Sequence, residues 1–205
     1  LQKEWHHGQF MVEHFRKVLE TAAKYEVSLV VHEPIKDTGL RRTFPNMMSR
    51  EGAKGQEFNG FMSTKDNNKP NHTTIIPFTR LLSSPMDYTP GIFNLVDYRY
   101  NSPEDRKINP NHRIPSTISK ELALYVVIYA PVQMAADLPS NYEGNPAFQF
   151  ILDVPTDWEE TKVLNGEIGE FITIARKDIN SDNWYIGSIT NEDGRSIEIE
   201  MNFLN

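Results

Sequence analysis

The chain has 205 residues, no cysteine and a formal net charge of −7. An acidic chain lacks the basic face that binds nucleic acid, and without cysteine there is no disulfide or thiol chemistry. No apolar run reaches the roughly 18 residues of a membrane-spanning helix, so we expect neither nucleic acid nor a membrane as a partner. The sequence opens without methionine or a signal segment and closes after a strand-like stretch, so we expect a piece of a longer protein.

The first elements are a helix and a short strand. Apolar side chains recur at helical steps over residues 8–25, namely Met11, Phe15, Val18, Leu19 and Ala22. Residues 27–31 form a β-branched run that predicts a strand buried on both faces. The polar stretch 33–71 that follows reads as a long loop, and loops of this length inside a domain are usually functional.

The middle of the chain predicts further helices separated by loops. A short helix is expected over 77–82 and loops over 84–91 and 97–115. A strongly apolar helix is expected over 118–130, capped by Ser116 or Thr117 and stopped by Pro131. Residues 134–138 predict a barrel-type strand that ends in Asp137, and residues 145–152 a short helix.

After Pro155 the pattern changes to short strands. They are predicted at 161–164, 170–176, 184–189 and 196–201, separated by clusters of Asn, Asp and Gly that favour hairpin turns. Their spacing is typical of an antiparallel β module. We therefore place a domain boundary near 156, between a helix-and-strand part (1–155) and a β part (156–205).

The candidate chemistry lies where the first strand ends, at His32 and Glu33. Catalytic groups of βα barrels sit at the carboxyl ends of strands. Glu51 and Glu57 follow in the loop and could join Glu33 around a hard cation such as Ca²⁺, or could be solvated loop acids. A carboxylate pair is also what glycoside hydrolysis needs, as acid and as base or nucleophile. Asp87, near another loop end, is expected to be structural.

Several blocks of the sequence resemble glycoside hydrolase family 97. They are His-Glu-Pro-Ile-Lys (32–36), Thr-Gly-Leu-Arg-Arg-Thr-Phe-Pro-Asn (38–46), Ser-Arg-Glu-Gly (49–52), Gly-Gln-Glu-Phe-Asn (55–59), His-Thr-Thr-Ile-Ile-Pro-Phe-Thr-Arg (72–80), Pro-Met-Asp-Tyr-Thr-Pro-Gly (85–91), Gln-Met-Ala-Ala-Asp-Leu-Pro (133–139), Asp-Val-Pro-Thr-Asp-Trp (153–158) and Val-Leu-Asn-Gly-Glu-Ile-Gly (163–169). The resemblance implies an α/β fold. The chain would be the later repeats of an incomplete (β/α)8 TIM barrel, followed by a truncated antiparallel β-sandwich domain.

The resemblance also implies roles for individual residues. Glu57 matches the family's general acid, Glu33 a base of the inverting α-glucosidase branch, and His32 a residue that contacts the sugar. Glu33, Glu51 and Glu57 match glutamates that ligate calcium. These matches imply a calcium-dependent inverting α-glucosidase acting on oligosaccharides.

The resemblance further implies a bacterial periplasmic or secreted protein whose missing N-terminal part completes the barrel. Two alternatives stay open at this point. One is a retaining α-galactosidase of the same family, and the other is a catalytically inactive carbohydrate-binding or structural piece.

Overall fold

The first described elements are a helix and two short parallel strands. The computed structural model describes residues 7–61, 68–96 and 113–204. Helix α1 spans Gln9–Lys24, which confirms the first predicted helix, and strand β1 spans Leu29–Val31. The side chains of β1 are half-buried, so the prediction of burial on both faces was wrong. Among the described residues β1 pairs only with β2, which leaves its other edge uncovered.

Strand β2, Met47–Arg50, lies inside the stretch that was predicted as loop. It pairs in parallel with β1 and brings Val31 opposite Arg50, and Arg50 also forms a parallel bridge with Met86. Helical turns α2 (Leu40–Thr43) and α3 (Phe58–Phe61) flank it. The prediction failed here because a four-residue strand has too little pattern of its own, and pairing with its neighbours decides its conformation.

The longest helix of the middle region, α5, spans Ile118–Val127. Thr117 caps it, as predicted, because its hydroxyl oxygen accepts a hydrogen bond of 3.1 Å from the amide of Lys120. The helix ends before the predicted Ala130, since Ile128 is already extended. Before it come α4 (His72–Ile75) and two 3₁₀ turns, Ile76–Phe78 and Arg80–Leu82, where a short helix was predicted.

The strand predicted at 134–138 is not formed, and that prediction was wrong. Asp137 instead uses its carboxylate to accept hydrogen bonds from the amides of Phe93, Asn94 and Leu138, at 2.7–2.8 Å. The amides of Phe93 and Asn94 are 43–44 residues away in the sequence, so tertiary hydrogen bonds to the Asp137 side chain, and not pairing in a ladder, fix this segment. Two short helices follow, α6 (Pro139–Tyr142) and α7 (Phe148–Asp153). Most of the loop predicted at 97–115 lies outside the described residues.

The C-terminal part is a three-stranded antiparallel sheet in the order β3-β4-β5. Its strands span Trp158–Glu167, Phe171–Asp178 and Trp184–Thr190. The fourth predicted strand, 196–201, is irregular, and its Glu198 carbonyl accepts a hydrogen bond from the Asn165 side chain instead of joining a ladder.

One apolar core joins the sheet to the rest of the chain. Its buried residues are Ile76, Met86, Tyr88, Leu124, Val127, Ile128, Ile172, Ile174 and Ile189. The fold is therefore mixed α/β with a C-terminal antiparallel sheet, while the barrel and the boundary near 156 stay predictions. Within the described part of the chain, no helix is both long and apolar enough to cross a bilayer.

Gly187 provides a test of the packing between β5 and α5. A Cβ atom at this position would lie 2.7 Å from the carbonyl oxygen of Ala123 and 2.8 Å from Cβ of Val126. We expect Gly187→Ala to lower the free energy of unfolding by about 1–3 kcal/mol, because the helix backbone cannot move aside cheaply. Urea denaturation measures the change, and Gly194→Ala, which has open space around it, is the control. Equal stability of the two variants would contradict this packing.

Candidate active site

Three parallel extended segments end side by side and carry the polar residues of the site. β1 is followed by His32, β2 by Glu51, and the segment at Met86 by Asp87. The amide of Glu51 donates to the carbonyl of Val31 at 2.9 Å, which keeps Glu51 beside the end of β1. Because the carboxyl ends of parallel strands meet at one edge, side chains far apart in the sequence converge there.

His32 lies at the centre of this group. Its Nε2 is 2.7 Å from Oδ2 of Asp87, and its Nδ1 is 3.7 Å from Oε1 of Glu57 and 4.0 Å from Oε2 of Glu51. Partial burial lowers the pKa of the ring, but the hydrogen bond to Asp87 and the charges of the three carboxylates outweigh burial and raise it. The imidazole is thus oriented by one carboxylate and faces two others.

Glu51 is the buried carboxylate of the group. Its Oε2 accepts a hydrogen bond of 3.3 Å from the Glu33 amide, while its Oε1 is buried without a hydrogen-bond partner. Burial raises the pKa of Glu51, and the nearby Glu57 raises it further. A buried carboxylate oxygen without a partner is costly, and a bound cation would relieve that cost.

The arrangement fits a divalent cation. One ligand atom from each of His32, Glu51 and Glu57 lies within 4.8 Å of the other two. The oxygens of the two glutamates are the donors that a hard cation such as Ca²⁺ prefers. The orphaned Oε1 of Glu51 gives such an ion a ready ligand.

Glu57 stands on a loop that is anchored to the segment after Met86. The amide of the preceding Gln56 donates to the carbonyl of Tyr88 at 2.8 Å, and a Cβ atom at Gly55 would lie only 3.2 Å from that same oxygen. The loop therefore passes close to Tyr88 and leaves the Glu57 side chain 35% exposed. A carboxyl group that is anchored but open to solvent can reach a substrate.

Glu33 is placed differently from the other predicted residues. It is exposed, and its carboxylate is outside the group of atoms within 4.8 Å. Its backbone adopts a left-handed conformation with φ of 47°, which costs an L-residue about 1–2 kcal/mol. The cost is offset locally, because in this conformation the Glu33 amide donates a hydrogen bond to Glu51. The structure thus brings His32, Glu51 and Glu57 together, with Glu33 beside them.

Asp87 is a site residue that sequence reasoning missed. It was expected to be structural, yet its side chain is 2% exposed and contacts His32 directly. Its Oδ1 accepts hydrogen bonds from the amide and the hydroxyl of Thr89, both at 3.1 Å. The available signal was an acid directly after a short extended run, the same signal that singled out His32 and Glu33.

Comparison with known proteins decides the family. A family model described as "Glycoside hydrolase 97" matches residues 3–53, and one described as "Glycosyl-hydrolase 97 C-terminal, oligomerisation" matches residues 157–205. A family 97 enzyme from Pseudoalteromonas sp. strain K8, solved in complex with acarbose, is 50% identical over 98% of this chain with a TM-score of 0.86. The chain belongs to glycoside hydrolase family 97.

Further relatives of this family 97 chain include a second structure of the Pseudoalteromonas enzyme and two proteins named as α-galactosidases. A structure of the Pseudoalteromonas enzyme in complex with panose is 49% identical, also with a TM-score of 0.86. The retaining α-galactosidase of Bacteroides thetaiotaomicron is 37% identical over 92% of the chain, and a probable retaining α-galactosidase of Streptomyces bingchenggensis is 30% identical over 84%. The chain spans 28% and 24% of the length of these two relatives and 30% of the Pseudoalteromonas chain.

The contact between His32 and Asp87 can be tested by titration. We expect Asp87→Asn to lower the pKa of His32, because the substitution removes a negative charge at hydrogen-bond distance from Nε2. NMR of the ring protons in metal-free protein measures the shift. Asp182→Asn, an exposed aspartate between β4 and β5, is the control. An unchanged His32 pKa in Asp87→Asn would rule out the contact.

Proposed function

We propose that this chain is the part of an α-glucoside hydrolase that supplies its general acid and a general base. The observation that carries the proposal is the convergence of Glu51, Glu57 and His32 at the carboxyl ends of neighbouring parallel segments. Glycoside hydrolysis uses a pair of carboxyl groups, and clefts at the carboxyl ends of strands are where α/β enzymes bind their ligands.

The proposed reaction is a single displacement that inverts the anomeric carbon. Glu57 donates its proton to the glycosidic oxygen as the bond to the leaving sugar breaks. Glu33 takes a proton from the water that attacks the opposite face of the sugar ring. His32, held by Asp87 at 2.7 Å, donates a hydrogen bond to the sugar at the point of cleavage.

The cofactor that suits this site is Ca²⁺, with Glu33, Glu51 and Glu57 as its protein ligands. The fit rests on the free Oε1 of Glu51 and on the closeness of Glu57 to the same buried carboxylate. When bound, calcium supplies a positive charge that balances the carboxylates and polarises water. Glu33 is next to this group, since its amide donates to Glu51, and its exposed carboxylate would have to turn toward the ion to serve as the third ligand.

The more similar relatives support α-glucosides as the proposed substrate class. Panose, a trisaccharide of α-linked glucose, and acarbose are bound by an enzyme that is 49–50% identical to this chain. The α-galactosidase relatives are 37% and 30% identical. The higher identity favours α-glucosides, while the names of the curated relatives favour a retaining α-galactosidase as the second candidate.

The anomer released first separates these candidates. We expect the complete enzyme to cleave panose faster than α-galactosides and to release β-glucose first, because inversion of an α-linkage gives the β-anomer. Proton NMR during the first minutes of reaction measures both. Release of α-galactose as the first product would establish the retaining alternative, and binding of panose without turnover would establish a catalytically inactive carbohydrate-binding protein.

The role of Glu57 predicts a dependence on the leaving group. We expect Glu57→Gln in the complete enzyme to reduce kcat for maltose by about 100-fold or more, since a general acid contributes about 10²–10⁴-fold. A 2,4-dinitrophenyl α-glucoside, whose leaving group needs little protonation, should lose much less. Glu143→Gln, at an exposed position between α6 and α7, is the matched control. Near-normal turnover of maltose by Glu57→Gln would refute the assignment of the acid.

A further inference from the structure

Arg80 connects two of the loops that carry the site. Its Nε donates to the carbonyl of Glu51 at 2.9 Å and its Nη2 to the carbonyl of Arg50 at 2.8 Å. On the other side, Nη1 donates to the carbonyl of Ser84 at 2.9 Å and Nη2 to that of Pro85 at 3.2 Å. One guanidinium thus joins the end of β2 to the segment that leads into Met86.

The backbone between these loops is only loosely paired. The amide of Arg50 donates to the Pro85 carbonyl at 3.4 Å, and the amide of Asp87 donates to the Arg50 carbonyl at 3.2 Å. Both distances are at or beyond the long end of the usual range for N–H···O bonds. Three of the four Arg80 bonds to backbone carbonyls are shorter, at 2.8–2.9 Å, so the guanidinium adds tighter links between these segments than their own ladder supplies.

Gly52 gives independent evidence that Arg80 packs closely against the site. It has φ of +64°, and a Cβ atom there would lie 2.7 Å from Nε of Arg80. A larger residue would be strained and would also displace the guanidinium. The backbone after Glu51 is thus shaped to let the arginine approach.

Arg80 acts on the backbone of Glu51 and not on its carboxylate. The guanidinium bonds to the Glu51 carbonyl, and the Oε1 atom of that residue is left without a partner. Burial, with smaller effects from Arg50 and others, lowers the pKa of Arg80 to about 10, so the group stays charged near neutral pH. Arg80 thus holds the backbone at Glu51 and makes no hydrogen bond to the carboxylate that would bind a cation.

We propose that Arg80 is a positioning residue that sets the spacing between Glu51 and Asp87, and with it the geometry of the cation site and of His32. This inference rests on the proposed function, since it assumes that the site binds Ca²⁺. A planar guanidinium can donate hydrogen bonds to carbonyls on both loops at once. The compact ammonium of lysine keeps the charge but cannot donate in the same planar arrangement.

The test is the variant Arg80→Lys in the complete enzyme. We expect its affinity for Ca²⁺, measured by isothermal titration calorimetry, to fall by about tenfold or more, as when outer-shell partners of metal ligands are replaced. We expect kcat for maltose to fall while KM changes little, because the acid and base are misplaced relative to the transition state. Gly52→Ala is a second variant, which should lower the Ca²⁺ affinity by displacing the same guanidinium.

Arg176→Lys is the matched control. Arg176 is also a largely buried arginine with a pKa lowered to about 10 by burial, and it donates to the carbonyl of Val126 at 2.6 Å and to the hydroxyl of Thr161 at 2.7 Å. It joins β4 to α5 and β3, and its hydrogen-bond partners include none of the candidate cation ligands. We expect Arg176→Lys to lower the melting temperature without changing the affinity for Ca²⁺.

The variant Glu51→Gln distinguishes a failure of the positioning role of Arg80 from a failure of the proposed cation site. If Glu51→Gln weakens Ca²⁺ binding while Arg80→Lys and Gly52→Ala bind as tightly as the unmodified enzyme, the positioning role is wrong and the cation site stands. If Glu51→Gln itself binds Ca²⁺ normally, the cation site is wrong and the positioning role falls with it. Equal loss of affinity in Arg176→Lys and Arg80→Lys would also overturn the inference, because the effect would then be one of general stability.

Discussion

The buried carboxylate of Glu51, whose Oε1 has no hydrogen-bond partner, is the constraint around which the site is arranged. A carboxylate that is buried in this way must be neutralised, hydrogen-bonded or balanced by a cation. The Glu33 amide satisfies one of its oxygens, and the ring of His32 stands 4.0 Å away. Glu57 adds a second negative charge instead of relieving the first. The described residues thus leave an excess of acidic groups around Glu51, which a bound cation would balance.

The structure brings together three of the four residues singled out from the sequence, while Glu33 lies beside them and the catalytic and metal-binding roles of all four stay predictions. His32, Glu51 and Glu57 were singled out from the sequence because acids in a polar loop after a buried run are unusual, and because the surrounding motifs resemble one family. Their convergence was not derivable from spacing. It depends on β2, a strand of four residues with no pattern of its own, and on a single bridge at Met86.

The helices and strands were also predicted best where a long segment carries its own periodic pattern. Helix α1 was predicted to within one residue at each end, α5 was predicted from its first residue but ends three residues early, and three of the four C-terminal strands were found. The failures at 134–138 and 196–201 are short segments that make hydrogen bonds to distant parts of the chain, from Phe93 and Asn94 to Asp137 and from Asn165 to Glu198, instead of a strand ladder. Asp87 was missed for a related reason, because its partner His32 is 55 residues away in the sequence.

The C-terminal sheet shares an apolar core with the segment that carries Asp87 in the candidate site. Ile172 and Ile189 belong to the same buried cluster as Met86 and Tyr88, which stand on either side of Asp87 in the sequence. Gly187 lets β5 approach the backbone of α5 so closely that no larger residue fits. The sheet is therefore not an interchangeable module. In a chimera of two family members, the sheet and helix α5 should therefore come from the same parent. A crossover before residue 118 would preserve the contacts between β5 and α5 better than one at the start of β3.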